Sequence, residues 1–139
     1  MSKVSLNSKL IGKMGFATNI DGHTIITDAN SERGGNNFGP RPKALLLSSL
    51  VGCMGYNVML ILNKMKIEID DLNVEIEADD GGKDTEGYEF INLIWKFKGN
   101  NLPIDKLKTA VKLSHDKYCG VSKMIQDQLP INIKVILEE

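Results

Sequence analysis

The sequence predicts an α+β domain with the element order βββ–α–ββ–αα–β, and three observations carry that expectation. Period-two alternation of apolar and polar residues marks strands at both ends of the chain and in its centre. A run of twenty uncharged residues, Ala44 to Asn63, marks one long apolar helix. Strands and helices are otherwise segregated into groups, as α+β domains require. A chain of 139 residues is expected to form one domain with a substantial core.

Taken in order, Val4, Leu6 and Leu10 alternate with polar neighbours and predict a first strand. Gly12-Lys13-Met14-Gly15 supplies a turn, and Phe16, Thr18 and Ile20 continue the alternation. Asp21-Gly22 is a two-residue hairpin signal, because both positions tolerate positive φ. His23 to Asp28 forms the third strand, and Ala29 to Pro42, rich in Gly, Asn and Pro, is a loop. Pro42 opens the long helix, where its missing N–H is no loss. The helix runs to about Lys64, roughly 35 Å at the rise of an α-helix.

Leu72, Val74, Ile76 and Ala78 alternate with Asn73, Glu75 and Glu77 as a half-buried strand. The acidic run Glu75, Glu77, Asp79, Asp80 is a solvated strand edge, and Asp79 to Gly87 is a polar loop. Ile91, Leu93, Trp95 and Phe97 form one face of the next strand. After Asn100-Asn101-Leu102-Pro103 an amphipathic helix carries Leu107, Ala110, Val111, Ser114 and Tyr118 on one side. A short helix follows Cys119 and ends before Pro130. Ile131, Ile133, Val135 and Leu137 close the chain as a strand.

The central helix is apolar nearly all round, which one sheet cannot cover. Either the other helices wrap it or a second copy does, and a symmetric homodimer with paired central helices is the economical solution. The uncharged run is long enough to span a bilayer. Ser48, Ser49, Gly52, Gly55, Asn57 and Asn63 within it favour a helix buried by protein, with no membrane partner.

Hydrophobic and charged fractions of 42% and 25% describe an ordinary globular chain. A net charge of −1, without Lys/Arg runs interleaved with aromatics, argues against nucleic acid as a partner. The N-terminus has no apolar signal core, so a cytoplasmic location is expected. In a reducing compartment two cysteines are more often catalytic, metal-binding or inert than a structural bridge.

Those cysteines are Cys53, inside the long helix, and Cys119, at the break between the two later helices. Residues alone leave Cys53 open between a small core hydrophobe and a redox thiol. On its own helix Cys53 is far from the N-terminus, and apolar surroundings should raise its pKa. If a guanidinium activates it, the source is Arg41 or Arg33, the two arginines of the chain, from this subunit or its partner. Cys119, near a helix start with Lys117 and Lys123 nearby, is on these grounds the more readily ionised thiol.

Other constellations are weaker. His115 and Cys119 are four apart and could share a helix face, but His23 is on a distant strand, so no metal site is expected and His115 should face solvent. Met14, Met54, Met59, Met65 and Met124 are core filling before they are a pocket. Gly34-Gly35-Asn36-Asn37 lacks the surroundings of a phosphate loop, and neither histidine supports a Ser-His-Asp arrangement. No cofactor is implied.

Gly39-Pro40-Arg41-Pro42, followed by Leu45-Leu46-Leu47-Ser48-Ser49-Leu50-Val51-Gly52-Cys53, resembles the first motif of the OsmC/Ohr family. Tyr118-Cys119-Gly120-Val121-Ser122-Lys123 is similar to its second, and the element order matches along nearly the whole chain. The resemblance implies an intertwined α+β homodimer with sites at the subunit interface. It also implies thiol-dependent reduction of organic hydroperoxides, with Cys53 as the peroxidatic and Cys119 as the resolving cysteine, and an external dithiol as reductant. Peroxidase members carry a glutamate just after the proline that opens the helix. Lys43 and Ala44 stand there in this chain, and Gly120 stands where many members have proline. The closer likeness is to the uncharacterised OsmC-like branch, which keeps a second reading open: a non-catalytic domain binding a small apolar ligand at the dimer interface.

Overall fold

Alternating residues at the start of the chain pair as β1 (Asn7–Ile11), β2 (Gly15–Ile20) and β3 (His23–Thr27), an antiparallel three-stranded meander. The description is of a computed structural model, covering residues 3–83 and 86–138. Asp21 and Gly22 join β2 to β3 with φ of 51° and 82°, the left-handed pair expected of a tight hairpin. β1 starts later than the alternation of Val4 and Leu6 suggests. Its pairing opens at Asn7 opposite Asn19, one residue before β2 ends, and Val4 and Leu6 stay exposed.

The following loop is organised by a buried carboxylate. Asp28 accepts from the backbone N–H of Ala29, Asn36 and Phe38 at 2.7, 3.2 and 3.1 Å, while its own N–H donates to the Pro40 carbonyl at 3.1 Å. A short 3-10 turn, Ser31–Arg33, capped by Asn30, lies inside this loop. At Gly39 an added Cβ would stand 2.3 Å from the Ile26 carbonyl oxygen, so only glycine fits ahead of Pro40.

Helix α1 is Pro42–Lys64, with the bounds the sequence predicts. The chain divides into two compact units at Ser48/Ser49, inside this helix. In the second unit α1 buries Leu50, Met54, Val58 and Leu62, a stripe at four-residue spacing. Among the described residues that stripe is the fully buried part of the helix, while Tyr56 and Leu60 are 64% and 48% exposed. Among the described residues α1 is the one helix long and apolar enough to cross a bilayer. Of the methionines expected as core filling, Met54 is buried, whereas Met14 and Met124 are exposed.

The second sheet has the order β4–β5–β6, with β4 (Asp71–Asp79) antiparallel and β6 (Ile131–Leu137) parallel to the central β5 (Phe90–Lys98). Ile91, Leu93, Trp95 and Phe97 of β5 are all buried, which confirms the expected face. Each such side chain contributes about 2 kcal/mol through removal from water. A Cβ at Gly55 would come within 3.9 Å of Trp95 Cη2, so the indole packs against α1 two residues from Cys53.

Helix α2 (Ile104–Leu113) continues into a single π-helical turn, Ser114–Tyr118, and then α3 (Gly120–Ile125) begins. Leu107, Ala110, Val111 and Ser114 are buried as the amphipathic pattern predicts. Tyr118 is 52% exposed instead. The wider π turn, closed by Cys119 N–H to the Ser114 carbonyl at 2.7 Å, rotates later residues off the α-helical stripe.

Candidate functional site: a paired thiol centre

The π turn ends the α2 segment at Cys119, whose extended backbone (φ −83°, ψ 109°) makes it the N-cap of α3. Its Sγ accepts from the Ser122 N–H at 3.3 Å, as a serine or aspartate oxygen does at other helix starts. The turn is pinned from its other end. Buried Ser114 donates its hydroxyl to the Met54 carbonyl of α1 at 2.8 Å, beside Cys53 in the chain. Asn57, one turn further along α1, donates its amide to the Cys53 carbonyl at 2.9 Å.

These anchors bring the two cysteines, both free thiols, close enough for each to shift the acidity of the other. Cys53 is partly exposed and Cys119 fully buried. Burial alone would raise the pKa of Cys53. The Cys119 thiol and the backbone N–H groups of Val121 and Gly120 bond its sulfur and outweigh burial, so its pKa falls below the ordinary value. Burial raises the pKa of Cys119, and the adjoining Cys53 raises it further, against a smaller opposing effect of Ser122. The Ser122 hydroxyl is itself buried without a hydrogen bond among the described residues.

The order of acidity expected from sequence is therefore reversed. Cys53 is the readily ionised thiol and Cys119 the reluctant one. Cys53 is 11 residues from the start of its own helix, and the helix start that acts on it is that of α3. The amides at Gly120 and Val121 are functional groups sequence reasoning missed. The signal was present: a helix start immediately after Cys119.

Arg41 and Arg33 lie in the first unit. Arg41 Nη2 donates to Asn37 Oδ1 and, at 2.8 Å, to the Gly39 carbonyl, and its charge helps hold the Asp28 carboxyl down. Arg33 closes the 3-10 turn, its N–H donating to Asn30 Oδ1 at 3.0 Å. Among the described residues no three His, Cys, Asp or Glu side chains converge as a metal site. His115 is half-buried rather than solvent-facing, and its Nδ1 is buried without a partner among the described residues.

An apolar cleft of about 340 Å³ begins one turn beyond Cys53. Asn57 opens it; Leu60, Ile61, Met65, Leu113 and Tyr118 form its walls, and Lys64 stands with them.

A dithiol centre between a long apolar helix and the N-cap of a short one, in this βββ–α–ββ–αα–β frame, defines the class. The chain belongs to the OsmC-like protein family, whose model matches residues 34–134 and so takes in both cysteines. The family is one of soluble proteins. Protein YhfA of Escherichia coli (strain K12) is 29% identical over 110 residues, 79% of each chain. A hypothetical protein from Aquifex aeolicus VF5 has the same fold over 100% of both chains, with TM-score 0.83 and 28% identity. An organic hydroperoxide resistance protein from Legionella pneumophila superposes with TM-score 0.70 at 18% identity, over 97% of this chain and 98% of its own.

Proposed function

We propose that this protein is a cytoplasmic thiol-dependent peroxidase that reduces organic hydroperoxides, with Cys53 as the peroxidatic and Cys119 as the resolving cysteine. What supports the proposal is the start of α3 at the second cysteine, where Cys119 is the N-cap and the Cys119 thiol and the amides of Val121 and Gly120 lower the Cys53 pKa and so favour its thiolate. A thiolate, not a thiol, attacks peroxide oxygen.

In the first step Cys53 thiolate attacks the distal oxygen of ROOH. The O–O bond breaks, the alkoxide takes a proton and leaves as ROH, and Cys53 becomes a sulfenic acid. Cys119 then loses its proton and attacks the Cys53 sulfur as a thiolate; the S–O bond breaks, and the departing hydroxide takes up a proton and leaves as water while the disulfide forms. An external dithiol returns both sulfurs to thiols and is itself oxidised. The apolar cleft that starts one helical turn beyond Cys53, at Asn57, favours peroxides with an alkyl or aryl body, since burying that body gains about 25 cal/mol per Å².

The protein acts as a homodimer in this proposal, with the uncovered face of α1, including Tyr56 and Leu60, against its counterpart in a second copy. Arg41 or Arg33, from either copy, is the candidate guanidinium that strengthens the Cys53 thiolate. Light scattering at micromolar protein reads a dimer mass if the pairing is right and a monomer mass if it is wrong.

Mixing the reduced protein with cumene hydroperoxide tests the chemistry. Loss of two thiols per chain, a mass decrease of one disulfide and release of the alcohol support the peroxidase, and Cys53→Ser abolishes all three. Retention of both thiols sinks it. The second reading, a non-catalytic domain binding a small apolar ligand, is favoured by Lys43 and Ala44 where peroxidase members have a carboxylate. It is then the surviving one.

A further inference from the structure

Ser122 is fully buried, and its hydroxyl has no hydrogen bond among the described residues. Leaving a buried hydroxyl unpaired costs stability, so a native one calls for a cause. The local geometry supplies one. Cys119 is the N-cap of α3 and Ser122 the third residue of that helix, the position from which a capping-box side chain reaches back toward the cap. In such a box the reciprocal bond goes to the cap N–H. Here that N–H is taken, because it donates to the Ser114 carbonyl at 2.7 Å. The cap sulfur is the other group at hand, and the Ser122 N–H already donates to Cys119 Sγ at 3.3 Å.

A thiol is a weak acceptor and a thiolate a strong one. The Ser122 hydroxyl therefore lacks a partner while Cys119 keeps its proton and gains one when that proton leaves. Burial raises the pKa of Cys119 most and Cys53 adds to it, whereas Ser122 opposes both through its side chain and its N–H. The groups that act on Cys53 are different: burial, and against it the Cys119 thiol and the amides of Val121 and Gly120.

We propose that Ser122 prepares the second sulfur for its attack, donating its hydroxyl to Cys119 Sγ as that sulfur becomes a thiolate. The step is the resolving one of the peroxidase cycle proposed above, on which this inference rests, and a hydroperoxide has by then oxidised Cys53 to the sulfenic acid. Cys119 loses its proton and its electron pair forms the S–S bond. The S–O bond breaks with its pair on hydroxide, which takes up a proton and departs as water. Ser122 gives up no proton. It is a positioning residue that acts through Cys119, and its hydrogen bond is released when the thiolate is consumed.

A hydrogen bond to a charged group favours ionisation about tenfold. The weaker base is also the poorer nucleophile, which returns nearly half of that gain on a logarithmic scale. Loss of the hydroxyl should thus slow attack by Cys119 about threefold to fivefold at neutral pH.

Dithiobis(nitrobenzoate), an aromatic disulfide, reads this step without peroxide. Cys53 attacks it, releasing one thionitrobenzoate and leaving a mixed disulfide, from which Cys119 displaces the second in a unimolecular phase. Ser122→Ala should slow the second phase by that factor and leave the first unchanged. Its urea midpoint should be equal or higher, since an unpaired buried group is removed. Ser122→Thr and Ser122→Val add the same bulk and differ in the hydroxyl, so Ser122→Thr should be the faster of the two by the same factor. An unchanged second phase in Ser122→Ala, equal slowing of both phases, or equal rates in Ser122→Thr and Ser122→Val would overturn the proposal. So would a native protein that shows no second phase. A native protein that shows both phases but keeps its thiols in cumene hydroperoxide removes the peroxidase, while the slower second phase of Ser122→Ala still supports the role of the hydroxyl at Cys119.

Discussion

The hydroxyl of Ser114 donates to the carbonyl of Met54 across 60 residues of chain, at 2.8 Å in a fully buried setting. Met54 follows Cys53, and Ser114 opens the π turn whose last hydrogen bond belongs to Cys119. One hydrogen bond thereby ties the neighbourhood of the first cysteine to the segment that delivers the second.

Ser114→Ala removes this tie and leaves a buried carbonyl short of a donor. Stability should fall by about 1–2 kcal/mol, read from urea unfolding of the reduced protein. The rate of Cys53–Cys119 disulfide formation after one equivalent of peroxide should fall as well, because the turn loses its register on α1. Unchanged stability together with an unchanged rate would show that packing alone holds the turn.

The two thiols should titrate on opposite sides of the ordinary value of 9.0. Cys53 is held down by the Cys119 thiol and two amides despite its burial, and Cys119 is pushed up by burial and by Cys53. Alkylation by iodoacetamide, followed by mass spectrometry of each cysteine peptide, separates the profiles. Cys53 should react with an inflection below 9.0 and Cys119 with one above it. Between the two, Cys53 is the thiolate and Cys119 the thiol, the arrangement that starts the proposed cycle. A Cys119 inflection below that of Cys53 would exchange the roles.

Asp28 offers a test in the first unit. Burial would raise its pKa, but the N–H donors of Phe38, Ala29 and Asn36 and the charge of Arg41 bring it below 3.8. Its folded pKa is thus lower than its unfolded one. The stabilisation is present in full above the unfolded value and is lost as pH falls through the folded one. Asp28→Asn should lower the thermal midpoint at neutral pH and flatten its dependence on pH in the acid range. A parallel acid decline in both proteins would place the sensitivity elsewhere.

Most of this frame is legible in the chain because its signals are local. Asp21-Gly22 dictates a hairpin, Pro42 and Lys64 bound α1, and Ile91, Leu93, Trp95 and Phe97 announce their shared face by spacing alone. The π turn is not legible, because one extra residue per turn leaves no pattern that Ser114 to Tyr118 could display. It leaves Tyr118 outside the core. The acidity of Cys53 is hidden for a related reason. Its partners lie more than sixty residues on, and two of them are backbone amides, which every sequence contains and none advertises.

The same amides give the sharpest test of the site, through Gly120. Gly120 is the first residue of α3, a position that accepts proline, and Cys119 before it already has the extended backbone that a following proline demands. Gly120→Pro should therefore fold while losing one N–H directed at Cys53. Gly120→Ala keeps that N–H, and its Cβ would meet nothing within 4 Å. A hydrogen bond to a charged group contributes about 1.5 kcal/mol, so losing it should slow alkylation of Cys53 at neutral pH by about tenfold. Proline should produce that loss and alanine should not. If alanine slows the reaction as much as proline, the effect comes from side-chain bulk or altered helix flexibility, and the amide of Gly120 does not hold the thiolate. If neither slows it, the Cys119 thiol and the Val121 amide suffice, and glycine at this position is neutral for the chemistry.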